Sequence, residues 1–340
     1  MSKRTRLFLL IAAGVLVTGL GTGLLASYMG VGLQSLTQLG SDSPAELAYL
    51  PQDSALVAFA NVRDVMDSEL RQKLLPLRPD DTNASDDFET KTGISVERDV
   101  DVVVASFART GENERPLIVA RGRFDEARIE GLVRDQNGTV EDYKGVTLMT
   151  VVDDEQTLAV AFPEAGLVVA GTADAVRRAI DTKQGTVPDI TNNAEVMNLV
   201  RDIDDANAWA VGRFDAMARR GRLPSELAGQ LPPINWFAAS GRINGGVQGV
   251  LQAEANSEEA AADLREVVRG FMALARLNTR QSAELSALLN SLQLGGDGRT
   301  VFLTFAVPAE MVEAFVALHQ RRERDDPNPD PPEPPNPPVF

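Results

Sequence analysis

Few residues of this chain have the chemistry of a catalytic or metal site. Among its 340 residues there is no cysteine and one histidine, His319. A thiolate nucleophile and a zinc–thiolate site are therefore excluded, and a histidine-based metal site has no second imidazole. A Ser-His-Asp triad would have to use His319, which is predicted to lie near a helix C-terminus, where its partial charge suits the helix dipole. No cofactor or metal ion is expected.

One acidic run has a partial resemblance to a calcium loop. Asp202, Asp204 and Asp205 are followed by Asn207. An EF-hand loop needs oxygen ligands at alternate positions and a glycine at the sixth. Here Ala206 occupies the third ligand position and Asn207 replaces the glycine, so the run is interpreted as a loop before a strand.

Other catalytic patterns are also incomplete. Paired carboxylates can hydrolyse glycosidic bonds, but the chain has 49 acidic residues, so pairs arise by chance and their spacing is not visible in sequence. Ser240 lacks a nucleophile elbow, because Ala238 stands where a glycine is needed. Trp209 and Trp236 lie in predicted strands, which favours a core position over a ligand-stacking platform. No catalytic constellation is predicted.

The N-terminus predicts a membrane anchor. Residues 7–28 are apolar and uncharged, and about 20 such residues cross a bilayer as a helix. Lys3, Arg4 and Arg6 precede this segment, and no Lys or Arg lies between it and Asp42. This asymmetry predicts that residues 1–6 are cytoplasmic and that the rest of the chain is outside. The alternative is a cleaved signal peptide, although the apolar region exceeds the usual length of about 7–15 residues.

The predicted anchor has two further properties. Gly19 and Gly23 form a GxxxG spacing through which two anchors could pack closely, which gives a hypothesis of self-association. A lipoprotein anchor is excluded, because there is no cysteine to acylate. The predicted location is the inner (cytoplasmic) membrane, with a single span and the main domain in the periplasm or the exterior.

The charge of the exported part limits its partners. The chain has 33 basic and 49 acidic residues, and three of the basic residues and none of the acidic ones lie in the first forty. The remainder therefore carries 30 against 49, or −19. Such a domain is repelled by phosphate backbones, so nucleic acid is not an expected partner.

The order of predicted elements indicates an α+β fold with two similar halves of antiparallel sheet and packed helices. A linker is predicted over residues 29–48, a first repeat over 49–190 and a second over 191–320. Each of the two repeats begins with a strand and a helix, continues through an antiparallel hairpin, and ends with a strand that leads into a helix. The hairpin at Asn244-Gly245 has the strongest turn signal. The alternative is one irregular α+β domain.

Residues 321–340 are predicted to be a disordered tail. Proline at this density removes backbone donors and favours an extended polyproline segment. Such segments bind in aromatic-lined grooves, and a terminal carboxylate is bound beside an augmented strand by PDZ-like domains. The tail is therefore a candidate site for a protein partner. Its candidate contact residues are Pro331, Pro332, Pro334, Pro335, Pro337, Pro338, Val339 and Phe340.

Three stretches carry a family resemblance. They are LAYLPQDSALVAFANVRDVM at 47–66, YKGVTLM at 143–149 with GLVVAGTADAVRRAID at 166–181, and LLNSLQLGGDGRTVFLTFAVP at 288–308. With them the chain resembles a group of uncharacterised bacterial proteins with an N-terminal membrane anchor and duplicated α+β repeats. The resemblance implies a bacterial, extracytoplasmic protein and carries no activity with it.

These observations favour a membrane-tethered interaction or accessory protein without catalytic activity. The competing hypothesis is a carboxylate-based hydrolase or small-molecule-binding domain with a site between the two halves. A third reading is a secreted protein after signal cleavage.

Overall fold

The computed structural model describes residues 44–74, 89–90, 92–110, 113–153, 156–201, 203, 206–214, 231–278 and 289–313. The predicted anchor at 7–28 lies outside these ranges. Among the helices that are described, none combines the length and the apolar character needed to span a bilayer.

The fold is α+β and is built on one antiparallel sheet. Twelve strands of the described chain form it in the order β11-β12-β10-β9-β8-β1-β2-β3-β7-β6-β5-β4. Every neighbouring pair is antiparallel. The strands are β1 Leu56–Asn61, β2 Val100–Thr110, β3 Asn113–Gly122, β4 Thr139–Tyr143, β5 Val146–Asp153, β6 Gln156–Glu164, β7 Leu167–Thr172, β8 Ala208–Arg213, β9 Ile234–Asn244, β10 Gly246–Ala255, β11 Gln293–Gly295 and β12 Thr300–Pro308.

Helices pack on both faces of this sheet. They are α1 Val62–Asp67, α2 Glu69–Leu74, α3 Val96–Asp99, α4 Glu126–Asp135, α5 Ala173–Lys183, α6 Ala194–Arg201 and α7 Glu258–Asn278, with 3-10 helices at Ala45–Tyr49 and Ile190–Asn192. Asn61 and Asp125 cap α1 and α4, since their side chains accept hydrogen bonds from the backbone N–H groups of Asp64 and Arg128.

The larger core lies on the face that we call face 1. Along each strand the side chains alternate between the faces, so register shows which residues share one. The 3-10 helices, α5 and α6 cover face 1 with residues such as Tyr49, Ile180 and Ile190, which are at most 1% exposed. From the sheet, face 1 presents Val57, Val104, Leu117, Val119, Leu148, Val169, Trp209, Val211 and Ala238 to them.

The opposite face, face 2, is covered by α1, α3, α4 and α7. Val62 and Val96 pack against Val103 and Ile118 near the centre of the sheet. Further out, Ile129 and Val133 of α4 pack against Met149 on one side. On the other side, Ala261 and Leu264 of α7 pack against Val301. The two outer helices therefore cover the same face of the sheet.

The local sequence signals located most of the strands, but three features differ from prediction. The N-cap residue type of Asn61 predicts a helix from there to about Leu75, but it is divided into α1 and α2 at Ser68, whose hydroxyl donates to Val65 O (2.7 Å) and accepts from Arg71 N (3.3 Å). The sequence predicts Pro308 at the first position of a helix, but it is the last residue of β12, opposite Gly246, and the helix begins one residue later at Ala309. The edge strand β4 was not predicted, because its sequence TVEDY has no apolar alternation.

Candidate functional site

The candidate site is a cleft where the start of the first sheet strand meets the segment before α6. Pro51 forms an isolated antiparallel bridge with Asp189. Ile190 N donates to Leu50 O (2.7 Å), and Gln52 N donates to Pro188 O (3.0 Å). Leu50 and Ile190 have no exposed surface, so these bonds form over a closed apolar floor. We call the space above them the junction cleft.

Amide side chains fix the two walls of the junction cleft against each other. Gln52 Nε2 donates to Asn192 O (3.0 Å), and Asn193 Nδ2 donates to Gln52 O (3.1 Å). The carbonyl oxygen of the Asn193 side chain accepts from Val196 N (3.2 Å), inside the first turn of α6. Each amide thus bonds to a backbone group of a different segment, which holds the walls in one geometry before any partner arrives.

The turn before α6 is ordered by Asp189. Its Oδ1 accepts from Thr191 N (2.9 Å) and from Asn192 Nδ2 (3.0 Å), and also from the Thr191 hydroxyl. This pattern is an Asx turn, in which the side chain replaces a backbone acceptor. It fixes the direction in which Asn192 and Asn193 enter the cleft.

An ion pair crosses the mouth of the cleft. Arg178 of α5 contacts Asp53 Oδ1 at 2.8 Å, and the two side chains are 27% and 61% exposed. The cleft has a volume of about 510 Å³, which is within the range of small-molecule sites. It is lined by Gln52, Asp53, Arg178, Val187, Pro188, Asn192, Asn193, Ala194 and Glu195.

The lining residues offer hydrogen-bond donors and acceptors. Asp53 and Glu195 offer acceptor oxygens, Arg178 offers donors, and the amides offer both. The guanidinium of Arg178 neutralises Asp53, and no histidine or thiol is present in the lining. Within the described ranges, no cluster of three or more His, Cys, Asp or Glu is arranged to hold a metal ion.

A second cluster of charged residues lies where the described chain begins. Arg121 Nε donates to Glu46 Oε1 (2.5 Å), and its NH2 donates to Glu164 Oε1 (2.7 Å). The Glu46 side chain is 5% exposed. Burial is the main reason that the pKa of Tyr49 is raised to about 12, and the nearby charge of Glu164 raises it further. One arginine thus ties the first 3-10 helix and β6 to β3.

A third cluster holds the outer hairpin of the sheet. The Tyr143 hydroxyl donates to both carboxylate oxygens of Asp181 at 3.2 Å, and Lys144 Nζ donates to Oδ1 at 2.5 Å. The hydrogen bond to Asp181 raises the pKa of Lys144. Since Asp181 belongs to α5 and the other two residues end β4 and its turn, this cluster fastens the edge hairpin to the helix.

Most sequence-predicted site residues lie outside the described residues. This holds for Gly19 and Gly23 of the anchor, for His319, and for Asp202, Asp204 and Asp205. It also holds for the tail residues Pro331, Pro332, Pro334, Pro335, Pro337, Pro338, Val339 and Phe340.

Asn207, Trp209 and Trp236 are described, and all three have structural roles. Asn207 Oδ1 accepts from Ile243 N (2.6 Å), which joins the start of β8 to the end of β9. Trp209 and Trp236 are 1% and 9% exposed in the main core, as predicted. The cleft itself was missed, because its walls come from residues about 140 positions apart and no local pattern links them.

Comparisons with known proteins show no family for this chain. No protein-family model matches the chain, and no curated protein matches it. The structure of TP0453 in crystal form I is similar at a TM-score of 0.44 and 11% identity, over 80% of this chain and 96% of that one. Crystal form III of TP0453 gives 0.44 and 10%, over 82% and 99%. Crystal form IV gives 0.43 and 10%, over 80% and 96%.

Proposed function

We propose that this chain is a membrane-tethered, extracytoplasmic interaction protein that binds a partner at the junction cleft without catalysis. The observation that carries the proposal is the fixed geometry of the cleft. Gln52 and Asn193 each bond to the opposite wall, so the surface is ordered before binding. A pre-ordered polar surface loses little conformational entropy when a partner binds, which favours recognition.

The other acidic clusters support a role without catalysis. Glu46 and Glu164 both bond to Arg121, while Asp181 bonds to Tyr143 and Lys144. Each cluster joins separate elements of the fold. These carboxylates therefore make structural contacts, and none of the three lines the junction cleft.

The tether and the location rest on the sequence. The uncharged segment 7–28 follows three basic residues, which favours a single span with the N-terminus in the cytoplasm. The described domain would then face the periplasm or the cell exterior. Comparing the mass of the mature N-terminus with that of the full chain distinguishes this from the alternative of a secreted protein after signal cleavage.

The two-halves architecture is part of the proposal, and the sheet order supports it. Outwards from the β1–β8 pair, one side runs β1, β2, β3, β7, β6 and the other runs β8, β9, β10, β12, β11. In both series, three strands that are consecutive in sequence lie side by side. The next neighbour is a later strand, and beyond it lies the strand that precedes it in sequence. The helices after β3 and β10 cover face 2 in both. Ala173 and Ala309, which follow β7 and β12, pack on opposite faces, so the halves diverge there.

Filling the cleft tests the interaction. Ala194→Arg places a long cation in the cleft lining at the first residue of α6. Ala127→Arg on α4 is the matched control, because Ala127 is also an exposed helical alanine and lies outside the cleft. We expect crosslinked membranes to yield a specific partner with wild type and with Ala127→Arg, and to lose it with Ala194→Arg. Equal recovery with both variants would refute binding at the cleft.

The proline-rich tail is a second proposed contact, independent of the cleft. It rests on the density of proline in residues 321–340. Deleting residues 325–340 should remove a partner that the Ala194→Arg variant keeps. If co-purified proteins are unchanged by the deletion, the tail is a spacer.

One observation favours the alternative of a small-molecule site between the two halves. The cleft is lined by Gln52, Asp53 and Arg178 from the first range and by Asn193 and Glu195 from the second. Glu195→Gln keeps the shape of the side chain and removes its charge. If the cleft binds a small polar molecule, calorimetry with a ligand library should find a ligand that the wild type binds. The Glu195→Gln variant should bind the same ligand more weakly. Turnover of any ligand would move the assignment to a hydrolase.

A further inference from the structure

The second half of α7 carries large apolar side chains that are exposed. Ala260, Ala261 and Leu264 are at most 6% exposed, and they pack against β10 and β12. Beyond Val268 the pattern changes, because Phe271, Leu274 and Leu277 are 40%, 58% and 56% exposed. Three of the six large apolar side chains that are exposed in the described chain thus lie on one helical segment.

Charge separates this segment from the rest of the protein. The chain carries −16 overall, and α7 itself begins with Glu258 and Glu259. From residue 267 to 278, however, the helix contains Arg269 and Arg276 and no acidic residue. Arg269 also pairs with Glu266, one turn earlier on the same helix, so this part of α7 carries two cations, one of them beside an acidic neighbour, on an acidic molecule.

The cations and the apolar side chains lie on different sides of the helix. At about 100° per residue, Arg265, Arg269 and Arg276 fall within a sector of about 40°. By the same spacing, Phe271, Leu274 and Leu277 occupy a sector of about 120° centred roughly 160° away. An apolar face of Phe and Leu beside a face of arginine is typical of helices that lie in a membrane interface.

We infer that residues 267–278 of α7 lie on the anionic lipid surface of the membrane to which the chain is tethered. The apolar side chains enter the boundary of the acyl chains, and Arg269 and Arg276 contact anionic headgroups. This inference rests on the tether of the proposed function. The fifteen residues 29–43 separate the predicted anchor from the described domain, and fully extended they span at most about 50 Å. Residue 44 therefore lies no more than about 50 Å from the end of the predicted anchor.

A second copy of the chain fits this surface less well. A stable protein interface buries about 800 Å² on each partner, and three partly exposed side chains cannot supply that area. Lipid contact needs no such area, because the tether already keeps the helix at a high effective concentration near the bilayer.

Single-cysteine labelling can test the contact without background, because the chain has no cysteine. We would label Leu274→Cys with an environment-sensitive fluorophore in the full chain. The control is Ala273→Cys, an exposed neighbour that lies about 100° around the helix. Both are reconstituted in vesicles of phosphatidylcholine with phosphatidylglycerol and in vesicles of phosphatidylcholine alone. Quenching by lipid-borne spin labels reports the depth of the fluorophore.

The expected result is at least about threefold stronger quenching at 274 than at 273, and a smaller difference without phosphatidylglycerol. Equal quenching at both positions, with the chain recovered in the vesicles, would overturn the inference and leave the tether standing. Recovery of the chain outside the vesicle fraction would overturn both.

Two further measurements test the lipid contact without the fluorescent label. Hydrogen exchange over residues 270–278 should slow on vesicles in wild type and in Ala273→Glu, and stay fast in Leu274→Glu/Leu277→Glu. Since these positions are exposed, the substitutions leave the core intact. Oxidative crosslinking of unlabelled Leu274→Cys into a dimer in vesicles would assign the surface to a second copy and refute the lipid contact.

Discussion

Phe59 and Trp209 lie directly opposite each other on β1 and β8, with ring centroids 5.6 Å apart and planes inclined by 27°. The pair joins β1, which is the first strand of the described sheet in sequence, to β8, and the two residues are about 150 positions apart. Trp209 is 1% exposed, and within the described part of the chain its Nε1 has no hydrogen-bond partner. The stack therefore contributes through packing alone.

Truncating Trp209 should be among the most destabilising changes in the core. We expect Trp209→Ala to lower the free energy of unfolding by about 3–5 kcal/mol, because it leaves a cavity in the main core. Trp209→Phe keeps the stacking and removes a buried donor without a partner, so its cost should be below about 2 kcal/mol. Urea unfolding of the detergent-solubilised full chain measures both. Equal losses would mean that the indole N–H has a partner.

Arg121 should contribute more to stability than an ordinary surface arginine. Arg121→Ala leaves Glu46, whose side chain is 5% exposed, without its partner. Removing one member of a buried pair costs about 3–5 kcal/mol, and since Arg121 is 38% exposed we expect about 2–3 kcal/mol. Arg134→Ala, which breaks the surface pair with Glu130, is the control and should cost about 0.5 kcal/mol or less. Similar values for the two variants would contradict a structural role for the buried pair.

Tyr49 should make the protein sensitive to alkali. Its pKa is raised from 10.0 to about 12, mainly because burial disfavours the phenolate. The unfolded chain ionises first, so the stabilising contribution of the neutral phenol is complete below pH 10.0 and is lost as pH rises towards about 12.

Spectrophotometric titration can observe this directly. The chain has three tyrosines, and one of them should titrate about two pH units late in the folded protein. The late step should be missing in Tyr49→Phe and present in Tyr143→Phe. Its persistence in Tyr49→Phe would assign the late ionisation to another residue.

Two glycines, Gly122 and Gly131, should respond in opposite directions to alanine. A Cβ at Gly122 would lie 2.0 Å from the carbonyl oxygen of Asp99, so the backbone at the end of β3 or at the end of α3 would have to shift. Gly122→Ala should therefore cost about 1–3 kcal/mol. A Cβ at Gly131, inside α4, meets nothing within 4 Å. Gly131→Ala should stabilise by about 0.5–1 kcal/mol, because alanine loses less backbone entropy in a helix. Thermal unfolding of both variants gives the sign of each change.

Local sequence signals predicted the elements whose structure depends on neighbouring residues. Asn244-Gly245 predicted the β9–β10 hairpin, and Asp125 predicted the start of α4, which it caps. Elements without such signals were missed. The 3-10 helices and β4 carry no periodic pattern, and their positions depend on contacts with distant residues, such as Ile190 N with Leu50 O.

By itself the sequence determined the α+β class, the hairpins, the capped helices and the absence of thiol chemistry, because each depends on residue type or on neighbours along the chain. Which strands lie side by side was decided only by tertiary structure, as were the pairing of Phe59 with Trp209 and the amide bonds between Gln52 and Asn193. Those contacts join residues about 140 to 150 positions apart. They form because burying the apolar side chains on both faces of the sheet brings these distant segments together. The exposure of Phe271, Leu274 and Leu277 was likewise not predictable before the fold was known.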